Sequence, residues 1–234
     1  MQGSAPPANP TADERPPMIR HPPGTKRRQP PVVNLPPATK AVAAVILLVF
    51  LLGLVPDLRL LGLAWLHFDP HAAPPRWAAG AVTYGLLHAD AMHLIGNLLG
   101  IAILGPLAER RYGAKHLLLL LLIGALGGAL AHTLVQLATG GDALLIGASA
   151  SAAALIGWSL RQIRDRRGFD QLDQAVILYG LFFIVFNLIG ILAFNDSPIA
   201  YAAHAGGFAA GWLLGGWRPR RSGTTVNPDL GRRL

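Results

Sequence analysis

Three short stretches hold polar side chains amid apolar ones. Ser149 lies in Gly147-Ala148-Ser149-Ala150-Ser151 and His204 in Ala203-His204-Ala205-Gly206-Gly207. His88, His93 and Asn97 share the third stretch. A serine hydroxyl beside an imidazole base is the pairing for nucleophilic catalysis. His93 and Asn97, one helical turn apart, can donate hydrogen bonds to a developing oxyanion. The chemistry these residue types allow is therefore acyl transfer, provided that separate parts of the chain bring them together.

The elements that must do so are membrane helices. The chain has 234 residues, of which 52% are apolar and 14% charged. A soluble protein needs more charge to cover its surface. The apolar residues come in six long blocks, at roughly 41–58, 80–105, 115–137, 143–160, 174–194 and 198–217. Only helices or closed barrels satisfy their backbone groups in lipid, and these blocks are too long and continuous for barrel strands. An all-α polytopic bundle of six transmembrane helices is expected, occupying residues 39–218. Residues 1–38 are rich in Pro and Arg and contain no apolar run, so a disordered tail is expected there, not a signal peptide. Residues 219–234 form a short basic tail.

The net charge of +8 does not point to nucleic acid, because Lys and Arg sit between the apolar blocks. Arg27, Arg28 and Lys40 precede the first block. Arg110, Arg111 and Lys115 lie between the second and third, and Arg161, Arg164, Arg166 and Arg167 between the fourth and fifth. Arg218, Arg220 and Arg221 follow the sixth. The intervening loops hold Asp142 and Asp196 with no Lys or Arg, apart from Arg59 and Arg76 in the first. Every second loop is basic, which places both termini in the cytoplasm. The Ala-, Leu-, Gly- and Arg-rich vocabulary suggests a bacterial cell membrane. With no cysteine, disulfides and thiol chemistry are excluded.

Depth brings the polar residues to one layer. Read as helices from Ala143 and from Pro198, the fourth and sixth segments place Ser149 and His204 about six residues in, roughly 9 Å below the outer boundary. His93 and Asn97 reach a similar level. His204, Gly207 and Gly211 share a face, as do Ser149, Ala153 and Gly157, and small residues permit close helix approach in lipid. No Asp or Glu lies inside the last four segments, so a Ser149–His204 dyad is expected in place of a triad.

Each residue also has an ordinary use. A lone membrane serine bonds to a carbonyl of its own helix. A lone His or Asn joins helices. Ser151 points away from Ser149, and His116, His67 and His71 are given no chemistry. His132 and Gln136, one turn apart, read as interfacial, with a water-filled cavity as the alternative. His88, five residues before His93, would point about 140° away from it on one helix.

At these residues the sequence resembles the rhomboid family of intramembrane serine proteases. His88-x4-His93-x3-Asn97, Gly147-Ala148-Ser149, Ala203-His204-x2-Gly207-x3-Gly211 and Glu109-x-Arg111-x-Gly113 match that family's motifs in order. The resemblance covers about residues 40 to 217. It implies that Ser149 attacks the scissile carbonyl, activated by His204. His93, Asn97 and the Ser149 backbone N–H would form the oxyanion hole. His88, Gly147, Gly207, Gly211, Glu109 and Arg111 would be structural. The first outer loop, with Arg76 and Trp77, would lie partly in the outer leaflet, and the fifth segment would be a lateral gate for a substrate helix. The sequence departs from the family at two places. Ala150 stands where Gly usually follows the nucleophile, and Ala153 where many members carry an aromatic residue against the histidine ring.

The expected function is cleavage of transmembrane-anchored proteins near the outer face. The alternative is a weak or inactive relative that binds membrane helices without cutting them. A transporter would spread its polar residues along a path. A zinc protease would need an H-E-x-x-H or similar motif, which is absent. No metal, cofactor or nucleic acid is expected. The expected partners are transmembrane substrates and the lipid bilayer.

Overall fold

The computed structural model describes residues 34–141, 143–165, 171–194 and 198–217. Most of both terminal tails, Asp142, Arg166, Arg167 and Asp196 lie outside the described residues. The helices are α1 Pro37–Leu52, α2 Pro56–Leu66, α3 Pro74–Thr83, α4 Ala91–Tyr112, α5 Ala114–Thr139, α6 Ser149–Arg164, α7 Gln171–Phe194 and α8 Pro198–Gly215. The described residues contain one antiparallel bridge, Phe68 to Leu145, and no longer strand. Among them α4 and α5 are long and apolar enough to cross a membrane, while Pro37–Leu52 and Asp173–Ile189 are shorter apolar stretches.

Several boundaries differ from the sequence reading. The first apolar block breaks at Gly53, because Pro56 opens α2 and holds Val55 extended at φ −85° and ψ 119°. The second block is not one helix. It contains the end of α3, a 3₁₀ turn at Tyr84–Leu86 and an extended link before α4. Asp90 starts α4 as its N-cap, its carboxylate accepting from the His93 N–H at 2.9 Å. His88 is therefore off the helix, and the 140° separation from His93 does not apply. The fourth block begins as non-helical chain, so Ser149 is the first residue of α6, not a residue two turns inside it. Finally, α7 starts early enough to take the buried Asp173 into its first turn, so one acid does lie in that helix.

Glu109 ties the far end of α4 to the start of α1. Its carboxylate accepts from Ala38 N at 2.9 Å, and from Thr39 N and Thr39 Oγ1 at 2.7 Å each. Two of the three donors are amides at a helix N-terminus, where a negative charge is favoured and where no carbonyl precedes them; the third is the Thr39 hydroxyl. Gly113, at φ +88° between α4 and α5, turns the chain with almost no loop. Arg111 lies with its guanidinium 5.5 Å from the Tyr112 ring centre.

Helices α5, α6 and α8 touch backbone to backbone. A methyl on Gly207 would overlap the Ala150 carbonyl, and one on Gly211 that of Ala154. One on Gly157 would overlap the Phe208 carbonyl. The α6 seam is thus Ala150, Ala154 and Gly157, one position round the helix from the Ser149–Ala153–Gly157 face that the spacing suggested. On α5, a methyl at Gly128 would stand 2.5 Å from Ala150 Cβ, and one at Gly127 2.8 Å from the Gly206 oxygen. Without a hydrophobic drive between helices in lipid, such close packing is what holds them together.

Candidate active site

The start of α6 is built by what grips the chain before it. His132 Nε2 lies 3.0 Å from the Ala143 carbonyl, and Gln136 Nε2 donates to the same oxygen at 2.7 Å. Both are buried side chains of α5. Leu145 then bridges to Phe68, and Gly147 N–H donates to Tyr84 O at 3.0 Å. Gly147 has φ +102°, a value that L side chains rarely adopt. The chain turns there and enters α6 at Ser149. The Ala152 N–H bonds back to Ala148 O at 2.9 Å. The amides before it, at the positive end of the helix dipole, have no carbonyl one turn earlier to meet.

Ser149 and His204 meet at this helix end. His204 Nε2 is 2.8 Å from Ser149 Oγ, across the α6–α8 seam. His204 stands six residues inside α8, as the sequence placed it. Its Nδ1 is buried and has no hydrogen-bond partner among the described residues. The imidazole is held by rings: Phe183 of α7 meets it edge-on at 5.1 Å, and Tyr201 lies at 5.8 Å. The aromatic contact that Ala153 cannot make thus comes from another helix.

His93 and Asn97 flank the same turn. A methyl on Gly147 would be 2.5 Å from His93 Cε1 and Nε2, and 3.6 Å from Asn97 Nδ2. Asn97 is 3% exposed, and its Nδ2 has no partner among the described residues. A buried amide donor without an acceptor costs free energy unless something else fills its place. Here it faces the turn next to Ser149. His88, itself buried, packs its ring on His93 at 5.1 Å. It is therefore a direct neighbour of His93, contrary to the expected separation.

The residues read as ordinary have ordinary partners. Ser151 Oγ donates to Leu121 O at 2.8 Å and joins α6 to α5. His116 packs among Tyr112, Trp158 and Trp217. His67 Nδ1 bonds to Leu63 O, and its Nε2 lies 3.0 Å from Arg76. Trp77 is exposed, with its ring 6.1 Å from Phe68. The sequence reading missed the grip of His132 and Gln136 on Ala143 and the ring of Phe183. The spacing of four between His132 and Gln136 was the available signal for the first. Phe183 carried none, because it lies in the apolar middle of α7, where aromatic and aliphatic residues occupy every face.

The Rhomboid domain profile matches residues 76–220, well over half of the chain. The chain belongs to the rhomboid family. RHOMBOID-like protein 1 of Arabidopsis thaliana is 32% identical over 130 residues, covering 55% of this chain and 31% of that protein. RHOMBOID-like protein 4 of the same plant is 30% identical over 152 residues, covering 61% and 36%. Rhomboid protease GlpG of Photorhabdus laumondii is 28% identical over 162 residues, covering 68% and 53%. The match spans about a third to a half of these curated relatives. The family is one of integral membrane proteins, and it includes serine proteases.

Proposed function

We propose that the protein is an intramembrane serine endopeptidase that cleaves transmembrane-anchored substrates near the outer face of the membrane. The observation that carries this reading is the 2.8 Å approach of His204 Nε2 to Ser149 Oγ at the start of α6. Ser149 Oγ attacks the scissile carbonyl carbon while His204 Nε2 accepts the hydroxyl proton. The carbonyl oxygen, now negative, takes hydrogen bonds from Asn97 Nδ2, His93 and the Ser149 N–H. His204 returns the proton to the leaving amine. Water, deprotonated by the same imidazole, then releases the acyl group from Ser149.

The membrane arrangement belongs to the same proposal. Six spans (α1, α4, α5, α6, α7 and α8) leave α2 and α3 in the first outer loop; α1 begins at Pro37, two residues before the expected domain start at 39. The tails, before α1 and at 219–234, lie in the cytoplasm of a cell with a bacterial-type inner membrane. The alternation of basic loops supports this orientation. Exposed Leu58, Leu60, Leu61 and Trp65 on α2 suit a loop dipping into the outer leaflet. The sparsely buried α7 suits a lateral gate for a substrate helix.

A cleavage assay on a panel of single-span proteins tests the function. Substrate is cut by the wild type and left intact by Ser149→Ala, which also loses labelling by a fluorophosphonate while still inserting and folding. Labelling that persists in Ser149→Ala moves the nucleophile elsewhere, with Ser151 the first suspect. A protein that binds the panel without cutting any of it is the inactive relative instead.

A further inference from the structure

Ala153 on α6 and Phe183 on α7 each stand one turn towards the Ser149 end from the contact between Ile156 and Gly180. Ile156 Cγ2 lies 3.5 Å from where a Cβ on Gly180 would stand, so a large residue of α6 fills a gap on α7. The two helices are joined by a short connection and run in opposite directions. One turn towards the Ser149 end leads from Ile156 to Ala153 on α6, and from Gly180 to Phe183 on α7. There the sizes are reversed. Ala153 is 1% exposed, so something fills the space beside it. Phe183 is half-buried, while Leu181, Phe182, Ile184 and Val185 around it are exposed. The Phe183 ring meets the His204 ring at an interplanar angle of 64°.

We infer that Phe183 is a positioning residue for His204, and that Ala153 is the small residue that makes room for it. The inference rests on the dyad reading of Ser149 and His204. An imidazole whose Nδ1 has no partner among the described residues is not oriented by a hydrogen bond on that side. Ring packing against Phe183 and Tyr201 is what remains to fix its plane and keep Nε2 on Ser149 Oγ. Because Phe183 belongs to α7, that restraint acts while α7 is seated against α6 and is lost when α7 is displaced. The seating of α7 and the aim of the base are one variable.

The test compares the wild type with Phe183→Leu, Phe183→Tyr and the double variant Phe183→Leu/Ala153→Phe. Kinetics are measured on a cleaved substrate, melting in detergent, and the His204 ring resonances by NMR. Loss of an edge-on ring pair lowers kcat of Phe183→Leu by about two- to twelvefold at unchanged KM. Phe183→Tyr keeps the wild-type rate, and Ala153→Phe restores the rate of Phe183→Leu by returning a ring from the other helix. The His204 resonances move in Phe183→Leu and return in the double variant. Unchanged kcat and unchanged resonances in Phe183→Leu overturn the inference. So does a loss that tracks melting temperature and is not rescued by Ala153→Phe. If the wild type cuts no more than Ser149→Ala, the protease reading fails separately, and the resonances alone decide the role of Phe183.

Discussion

The ring of His93 stands against Gly147, close enough that a single methyl there would sit 2.5 Å from two of its atoms. The backbone of Gly147 is also in a region where L residues are strained, at φ +102°. Gly147→Ala meets both obstacles. The left-handed backbone alone costs about 1–2 kcal/mol, and His93 must move as well. The expected result is loss of substrate cleavage and of fluorophosphonate labelling, with a lower melting temperature. Near-normal labelling at an unchanged melting temperature would mean that this turn does not shape the site.

His93 and Asn97 are expected to act in turnover more than in binding. Donors that meet an oxyanion matter more in the transition state than before it. Removing one typically lowers turnover by about 10²–10³. His93→Ala and Asn97→Ala should each reduce kcat on that scale with little change in KM. His88 packs its ring on His93 at the start of α4, so His88→Ala should lower the melting temperature first. Steady-state kinetics beside thermal unfolding separates the two roles. Full turnover in His93→Ala with a lost kcat in His88→Ala at unchanged melting would reverse the assignment.

Gln136 and His132 share the Ala143 carbonyl and sit apart from the reacting atoms. Gln136→Leu should keep the helix apolar while freeing one grip on the chain that leads to Ser149. The Ala143 oxygen keeps His132, so the loss is that of one hydrogen bond, about 0.5–1.5 kcal/mol. Faster amide exchange across residues 143–148, measured by mass spectrometry, is the expected sign. Exchange unchanged in that segment would show that His132, Phe68 and Tyr84 hold it without Gln136.

Glu109 is a test of stability at the other end of the bundle. Glu109→Ala leaves the Ala38 and Thr39 amides without their acceptor. The expected loss is on the order of 1–3 kcal/mol, read as a lower melting temperature in detergent. The folded fraction should retain its catalytic rate, since Glu109 lies near the opposite end of α4 from His93. A normal melting temperature would mean that water replaces the carboxylate.

The orientation is open to reporter fusions. Fusions after Arg28, Lys115, Arg167 and Arg221 should report cytoplasm, and fusions near Asp142 and Asp196 the outer side. An outer-side signal at Arg167 would reverse α6 and α7 relative to the bilayer.

The sequence carried the site better than the helix that bears it. Ser149 and His204 were legible because polar residues in apolar runs are few, and small residues beside them allow close approach. The start of α6 was not legible. Leu144, Leu145 and Ile146 are as apolar as a helix interior, and what holds them out of the helix lies outside the segment: Phe68 is far away in sequence, and His132 and Gln136 grip Ala143 from eleven and seven residues before it. The start of α4 was legible but overlooked. Asp90 three residues before His93 is an N-cap spacing, and it would have placed His88 outside the helix. Phe183 was harder to single out, because the middle of α7, from Val176 to Phe186, is apolar at almost every position and does not reveal which face it turns inward.

The glycine seam sets where this chain can drift. Wherever two backbones touch, the smallest possible side chain is already in place, so substitution has no tolerated direction. At Gly207, Gly211 and Gly157 even one added carbon would collide with a neighbouring carbonyl. The outward residues of α7, such as Leu178 and Ile184, meet nothing in the protein that would reject another apolar side chain. A saturation scan scored by folding would therefore be sharply uneven, with near-total rejection recurring every turn or so along α8 and α6, and broad acceptance across most of α7.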